Sequence, residues 1–352
     1  MGINTRINYI DNIKIAITFL VVAHHAGQAY GDTGGAWVVS DEPKLSFLPS
    51  FFFFNAAYMM GFFFFISGYF MYFSVSRKAT NAFLKDRFRR LGLPLLFFTF
   101  IIFMPLHYIM SGSKEDYFEF MYNIYFHQPP LAVGHLWFVA ALLCFTLLFL
   151  AVRQLIEKLK TTKFRWWFPL LYLCFLTIVN HLVWSSYPID YWKTWIVPVE
   201  VAHLPQYLTL FFLGVVANQN KWLEDISLPV GLAYLFIGLL LFSFGREPAI
   251  NIPSQWIFPM IESATCIGMI LGGLVIFKRL LYSTNKYLKF FSDCSYGIYL
   301  FHLLIVILLQ IMLKELAIST VSKFILVTIF AVILSAGLTF VLRKSKFLSK
   351  IL

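Results

Sequence analysis

Apolar residues run almost continuously along this chain, in stretches near 12–30, 47–74, 91–111, 132–152, 167–184, 203–218, 228–244, 256–277, 296–313 and 321–342. A bilayer core needs about 20 such residues per helix, so the pattern predicts about ten membrane-spanning α-helices and an all-α polytopic bundle. The run at 203–218 is the weakest, because it is short and holds His203 and Gln206. The run at 47–74 is long enough to tilt or to begin outside the bilayer. Between the runs lie short segments rich in aromatic, Pro and acidic residues near 31–46, 112–131 and 185–202, which read as lids on the outer side. One membrane domain is expected over 1–352, with no soluble extracytoplasmic module.

Composition agrees with lipid as the solvent. The chain is 60% hydrophobic, 19% aromatic and 13% charged, against about 25% charged in a soluble protein. Its formal net charge of +11 does not indicate nucleic acid, because the basic residues cluster between apolar runs instead of interleaving with polar surface. Their placement predicts topology. With ten spans, 21 of the 28 Lys and Arg fall on the N-terminal side and six on the other, with Lys14 inside the first run. The positive-inside rule then puts both termini in the cytoplasm. The first run lacks a small-residue cleavage site and is expected to stay attached. Cys144, Cys174, Cys266 and Cys294 form no CxxC pair and carry no predicted chemistry, and no metal site is expected.

Ionisable residues at membrane depth are costly and therefore informative. In the first span Lys14 and His25 stand eleven residues apart, about 20° from alignment and about 16 Å along the axis. Asp11 and Thr18 share that stripe, whereas His24 points about 100° away. Arg87 and Arg90 occupy one helical face before the third span, and two planar forks at a helix entry suit phosphate. His135, Trp137 and Phe138 open the fourth span, where an aromatic belt is also expected. Ser295, Tyr299 and His302 align on the ninth, and Glu262, deep in the eighth, is expected to pair with that stripe.

Taken together these residues resemble the membrane acyltransferase 3 family over nearly the whole chain. The stretch from Tyr9 through Lys14 to His25 resembles its first motif. Phe65, Ser67 and Gly68 resemble the second, and Arg87, Arg90 and Pro94 the third. His135, Trp137 and Phe138, and then Ser295, Tyr299 and His302, resemble the later ones. Many members carry arginine where this chain has Lys14, which leaves a point charge in place of a fork.

The resemblance implies an O-acyltransferase of the cell inner (plasma) membrane. It would move an acyl group, acetyl first and succinyl second, from cytoplasmic acyl-coenzyme A to a hydroxyl of an extracytoplasmic glycan or glycolipid. Acetyl-CoA or succinyl-CoA would be a co-substrate, with no bound cofactor. On this reading His25 is the general base, because a histidine can take a hydroxyl proton near neutral pH. Lys14 and Glu262 complete the catalytic set, and Arg87, Arg90 and Lys14 hold the donor. Trp137, His135, Ser295, Tyr299 and His302 line the acceptor cavity. A single through-going cavity is expected, lined also by Thr18. The polar stripes also describe a proton-coupled transporter, which should show inverted repeats and release no coenzyme A; a lipid-facing scaffold would tolerate loss of His25.

Overall fold

A computed structural model describes residues 6–32, 37–126, 133–159, 163–189, 192–194, 198–244 and 254–352. The outer segments predicted at 31–46, 112–131 and 185–202 lie partly outside these residues, as do Lys160 and Arg246 and the side chain of Lys193.

Each predicted apolar run falls on a helix. In chain order these are α1 (Asn8–Gly27), α2 (Leu48–Ser76), α3 (Thr80–Ser111), a short α4 (Tyr117–Phe126) and α5 (Gly134–Glu157). Next come α6 (Phe168–Trp184), the strands β1 (Trp192–Thr194) and β2 (Pro198–Glu200), α7 (Val201–Gln219) and the single turn α8 (Trp222–Asp225). The chain then forms α9 (Leu228–Phe244), α10 (Ser254–Leu280), α11 (Lys286–Lys314) and α12 (Thr320–Leu342). Strands β1 and β2 pair antiparallel, with Trp192 opposite Glu200. This hairpin is the one departure from an all-α chain among the described residues, and the apolar pattern did not predict it.

Seven helices, α2, α3, α5, α7, α10, α11 and α12, are long and apolar enough to cross a membrane. Helices α6 and α9 are apolar but shorter. Helix α1 falls outside the seven because Asp11, Asn12, Lys14, His24 and His25 dilute its apolar residues. It is nonetheless the central helix, packed against α2, α10, α11 and α12. Large apolar side chains such as Ile101, Leu182, Phe236, Met312 and Val341 point outward and are more than half exposed, which is the surface that hydrocarbon requires.

Helix α3 contains two π-helical stretches, Phe88–Gly92 and Phe98–Phe103, each just ahead of a proline, Pro94 and Pro105. Proline has no N–H for the carbonyl four residues back, so the ladder opens there. For Pro94 that carbonyl belongs to Arg90, and the Tyr296 hydroxyl of α11 donates to it instead.

Helices α2 and α7 approach so closely that side chains are excluded. A Cβ on Gly68 would stand 1.9 Å from the Phe211 carbonyl oxygen, and one on Gly214 would stand 2.1 Å from that of Phe65. Small residues allow this backbone contact, the usual means of helix association in lipid. Gly68→Ala should therefore separate α2 from α7, at the 1–3 kcal/mol or more typical of overpacking. The expected result is several degrees lower thermal stability in detergent, whereas Gly337→Ala, which meets nothing within 4 Å, should change it little.

Candidate active site

Two cavities lie along α1. The first, of about 730 Å³, is strongly basic: Lys14, Arg77, Lys78, Arg87, Arg89, Arg90 and Lys350 line it, with Asp86 as its one carboxylate side chain among the described residues. Lys78 pairs with Asp86. Lys14 reaches this cavity with its ammonium 4.3 Å from the centre of the Phe70 ring and 3.2 Å from Asp11. Arg6 crosses from Asp11, at 2.6 Å, to Asp293 of α11, at 3.1 Å, and so ties the entry of α1 to that helix. The Arg87 guanidinium rests on the Phe83 ring and near the Met71 sulfur, with no carboxylate partner among the described residues. Lys14, far in sequence from Arg87 and Arg90, thus borders one space with them, together with Ser67 of α2.

The second cavity, of about 520 Å³, is bordered by His24, His25, Gln28, His135, Trp137, Trp192, Glu200, His203, Tyr207 and Tyr299. Gln28, one turn after His25, accepts from its Nδ1 at 2.9 Å, which leaves Nε2 as the lone-pair nitrogen. The His25 ring centre lies 5.3 Å from His302 and 6.4 Å from His135, and those two are 4.6 Å apart. His302 is fully buried and donates Nδ1–H to the Tyr299 carbonyl at 2.7 Å. The Tyr299 hydroxyl donates to the His135 carbonyl. A tight turn at Gly134, with φ +51°, presents His135, and glycine adopts that conformation without a Cβ clash. Trp137 packs edge-on to Trp192 at 5.6 Å and beside Tyr207 at 5.5 Å, which makes an aromatic wall.

Several expectations are corrected. Glu262 does not meet the Ser295–His302 stripe; its partner is His203, at 3.1 Å, which also contacts Glu200 at 2.6 Å. The expectation rested on the need of a deep carboxylate for a partner and took no account of α7, whose N-terminal turn brings His203 against α10. Ser295 spends its hydroxyl on the Phe291 carbonyl at 2.7 Å and borders neither cavity. Thr18 is buried and donates to the Lys14 carbonyl at 2.7 Å, so its hydroxyl faces its own helix. His24 borders the second cavity despite its different phase, with its ring against Phe52 at 4.9 Å.

The space expected to run through the protein shows as these two cavities. Along α1 the lining residues jump from Lys14 to Val21, about 10 Å at 1.5 Å per residue. Ile17, which lies in that interval of the helix, is buried in one apolar cluster with Phe62. Helix α11 bridges the two sides: Tyr296 holds the Arg90 carbonyl and Tyr299 the His135 carbonyl, and their rings stack 6.5 Å apart.

Gln28, Trp37, Tyr296, Glu200, His203 and Gln310 are site residues to which sequence reasoning assigned no role. Gln310 carried a signal, as a lone amide inside an apolar run. The four cysteines are free, and Cys266 and Cys294 are buried. Among the described residues no trio of His, Cys, Asp or Glu has the geometry to hold a metal ion.

No curated protein and no solved structure matches the chain. A family model described as an acyltransferase domain does match, over residues 7–342, and so takes in the second cavity and all of the first except Ser349 and Lys350. With seven helices apolar and long enough to cross a bilayer, a basic cavity and a histidine cavity on one central helix, and that match, the chain is a multi-pass membrane protein of the acyltransferase 3 family.

Proposed function

We propose that the protein is an O-acyltransferase of the cell inner membrane that takes its acyl group from acyl-coenzyme A in the basic cavity. The acceptor is a hydroxyl of a glycan or glycolipid that enters the histidine cavity from the other side. On this reading all ten apolar helices cross the bilayer, with both termini and the basic cavity in the cytoplasm, which the excess of Lys and Arg in those loops supports. Acetyl is the first expected acyl group and succinyl the second.

The observation that carries this reading is the span of α1, which brings Lys14 to one cavity and His25 to the other. Arg87 and Arg90 bind the phosphates of the donor, and Lys14 lies nearer its reacting end. The pantetheine arm passes the interval between Lys14 and Val21, which must open for transfer. His25 Nε2 takes the proton as the hydroxyl oxygen attacks the thioester carbonyl. The carbon–sulfur bond then breaks, and the thiolate receives that proton from the imidazolium. The aromatic wall of Trp137, Trp192 and Tyr207 gives a sugar ring a stacking surface.

Inverted membrane vesicles from the source strain, supplied with acetyl-CoA or succinyl-CoA labelled in the acyl group, test this reading. The expected result is label in the glycan fraction and stoichiometric free coenzyme A, both lost in a deletion strain. Acceptor-dependent release that is no greater than in the deletion strain would refute the acyltransferase reading and favour a carrier.

A further inference from the structure

The cavity accounts for one side of His25. On another side stands Trp37, from the loop between α1 and α2, with its ring nearly parallel to the imidazole: the interplanar angle is 14° and the centres are 5.8 Å apart. That is offset stacking, within the usual 4.5–7 Å range for ring pairs.

Trp37 is held there by a buried amide. Its indole N–H donates to Gln310 Oε1 at 2.9 Å. The Gln310 Nε2 donates in turn to the Ala26 carbonyl at 3.0 Å, with the His25 carbonyl at 3.4 Å. An indole nitrogen is a donor only and a backbone carbonyl an acceptor only, so both neighbours demand the same amide orientation. Gln310 is 1% exposed. In an apolar helix an amide this deep is tolerated when its hydrogen bonds are made, and here they join α11, the last turn of α1 and the loop.

Residues 41–45 are fixed independently. Asp41 N–H donates to the Ala29 carbonyl at 3.0 Å and Leu45 N–H to that of Tyr30 at 2.7 Å. The Asp41 carboxylate meets Lys323 of α12 at 2.8 Å, and Lys323 also donates to the Lys314 carbonyl at 2.7 Å. Trp37 therefore stands on a tethered segment.

We infer that Trp37, aligned by Gln310, is a positioning residue for His25: it fixes the plane of the imidazole and stabilises the imidazolium formed during transfer. This rests on the reading of His25 as the general base. A neutral imidazole gains little electrostatically from an aromatic face, whereas an imidazolium beside it gains a cation–π interaction. Stabilisation confined to the charged state lowers the barrier without tightening substrate binding. Trp37 should thus act on turnover and leave the donor requirement alone.

The test measures acetyl transfer from acetyl-CoA in vesicles, with maximal rate divided by the number of acetyl-CoA sites titrated by equilibrium binding. This division removes any loss of folded protein. Trp37→Leu should lower the rate per site about tenfold, from the size of a desolvated cation–π contact, with donor KM within about twofold. Trp37→Phe, which keeps a ring face but loses the N–H that Gln310 accepts, should recover part of that loss. Gln310→Met removes the same hydrogen bond and should resemble Trp37→Phe, and in the Trp37→Leu background it should cost little more, because the amide acts through the indole.

An unchanged rate per site in Trp37→Leu, or a Trp37→Phe variant as slow as Trp37→Leu, overturns the inference. If Trp37→Leu does not insert, Trp37→Phe and Gln310→Met decide alone: a lowered rate per site in both supports it, and a wild-type rate in either overturns it. His25→Ala, measured alongside, separates the two levels. Retained transfer in His25→Ala removes the general-base reading itself, whereas an inactive His25→Ala with a fully active Trp37→Leu removes only the positioning role.

Discussion

His25→Ala should reduce acyl transfer at saturating donor by about 10²- to 10⁴-fold, the usual contribution of a positioned general base, while acetyl-CoA still binds. Binding should persist because the basic cavity is separate: Lys14 borders it, and His25 borders the other. Within the histidine cluster, Gln28 and Trp37 both address His25. His302 has its Nδ1–H committed to the Tyr299 carbonyl. His24, by contrast, packs its ring among Phe51 and Phe52. His24→Ala should accordingly keep most of the activity, with any loss coming from packing. The measurement is the transfer rate per acetyl-CoA site for each variant in vesicles. Equal losses from both substitutions would remove His25 from its special place.

The second large effect is on the donor. Arg87→Ala or Arg90→Ala should raise the dissociation constant for acetyl-CoA about 10- to 100-fold, as expected for losing a charge-assisted hydrogen bond worth about 1.5–3 kcal/mol. Turnover at saturation should change much less. The basis is the imbalance of the first cavity, where seven basic side chains face one carboxylate that Lys78 already occupies. Arg87→Lys should fall between, because lysine keeps the charge and loses the planar fork. Wild-type affinity should also weaken as salt rises, with a shallower slope in the alanine variants. Equilibrium binding of acetyl-CoA to the purified protein checks this, and unchanged affinity in both alanine variants would refute the phosphate role.

Much of the fold is legible in the sequence. Ten apolar runs became ten helices, because in lipid a backbone segment must satisfy its own hydrogen bonds and the helix is the local way to do so. The grouping of Lys14 with Arg87 and Arg90 was legible in part, since each was a basic residue at an apolar boundary on the same predicted side. The Gly68 motif was visible as a pattern, but its reason, the 1.9 Å approach of the Phe211 carbonyl, was not.

The expectations that failed share one physical cause. Helical phase reports which way a side chain leaves its own helix and carries no information about the neighbour it will meet. Glu262 was expected to reach the His302 helix and instead meets His203. Thr18 and Ser295 lay on the expected stripes, yet each folds its hydroxyl back to its own backbone. Trp37 lies in an irregular loop with no period to read, and only the packing of α1 against α11 brings it beside His25. The sequence by itself thus determined the helices, the basic and aromatic zones and the polar residues at depth, all set by local hydrogen bonding and transfer from water to lipid. Tertiary structure alone decided which polar groups share a cavity, because that depends on how α1, α2, α7, α10 and α11 pack side by side.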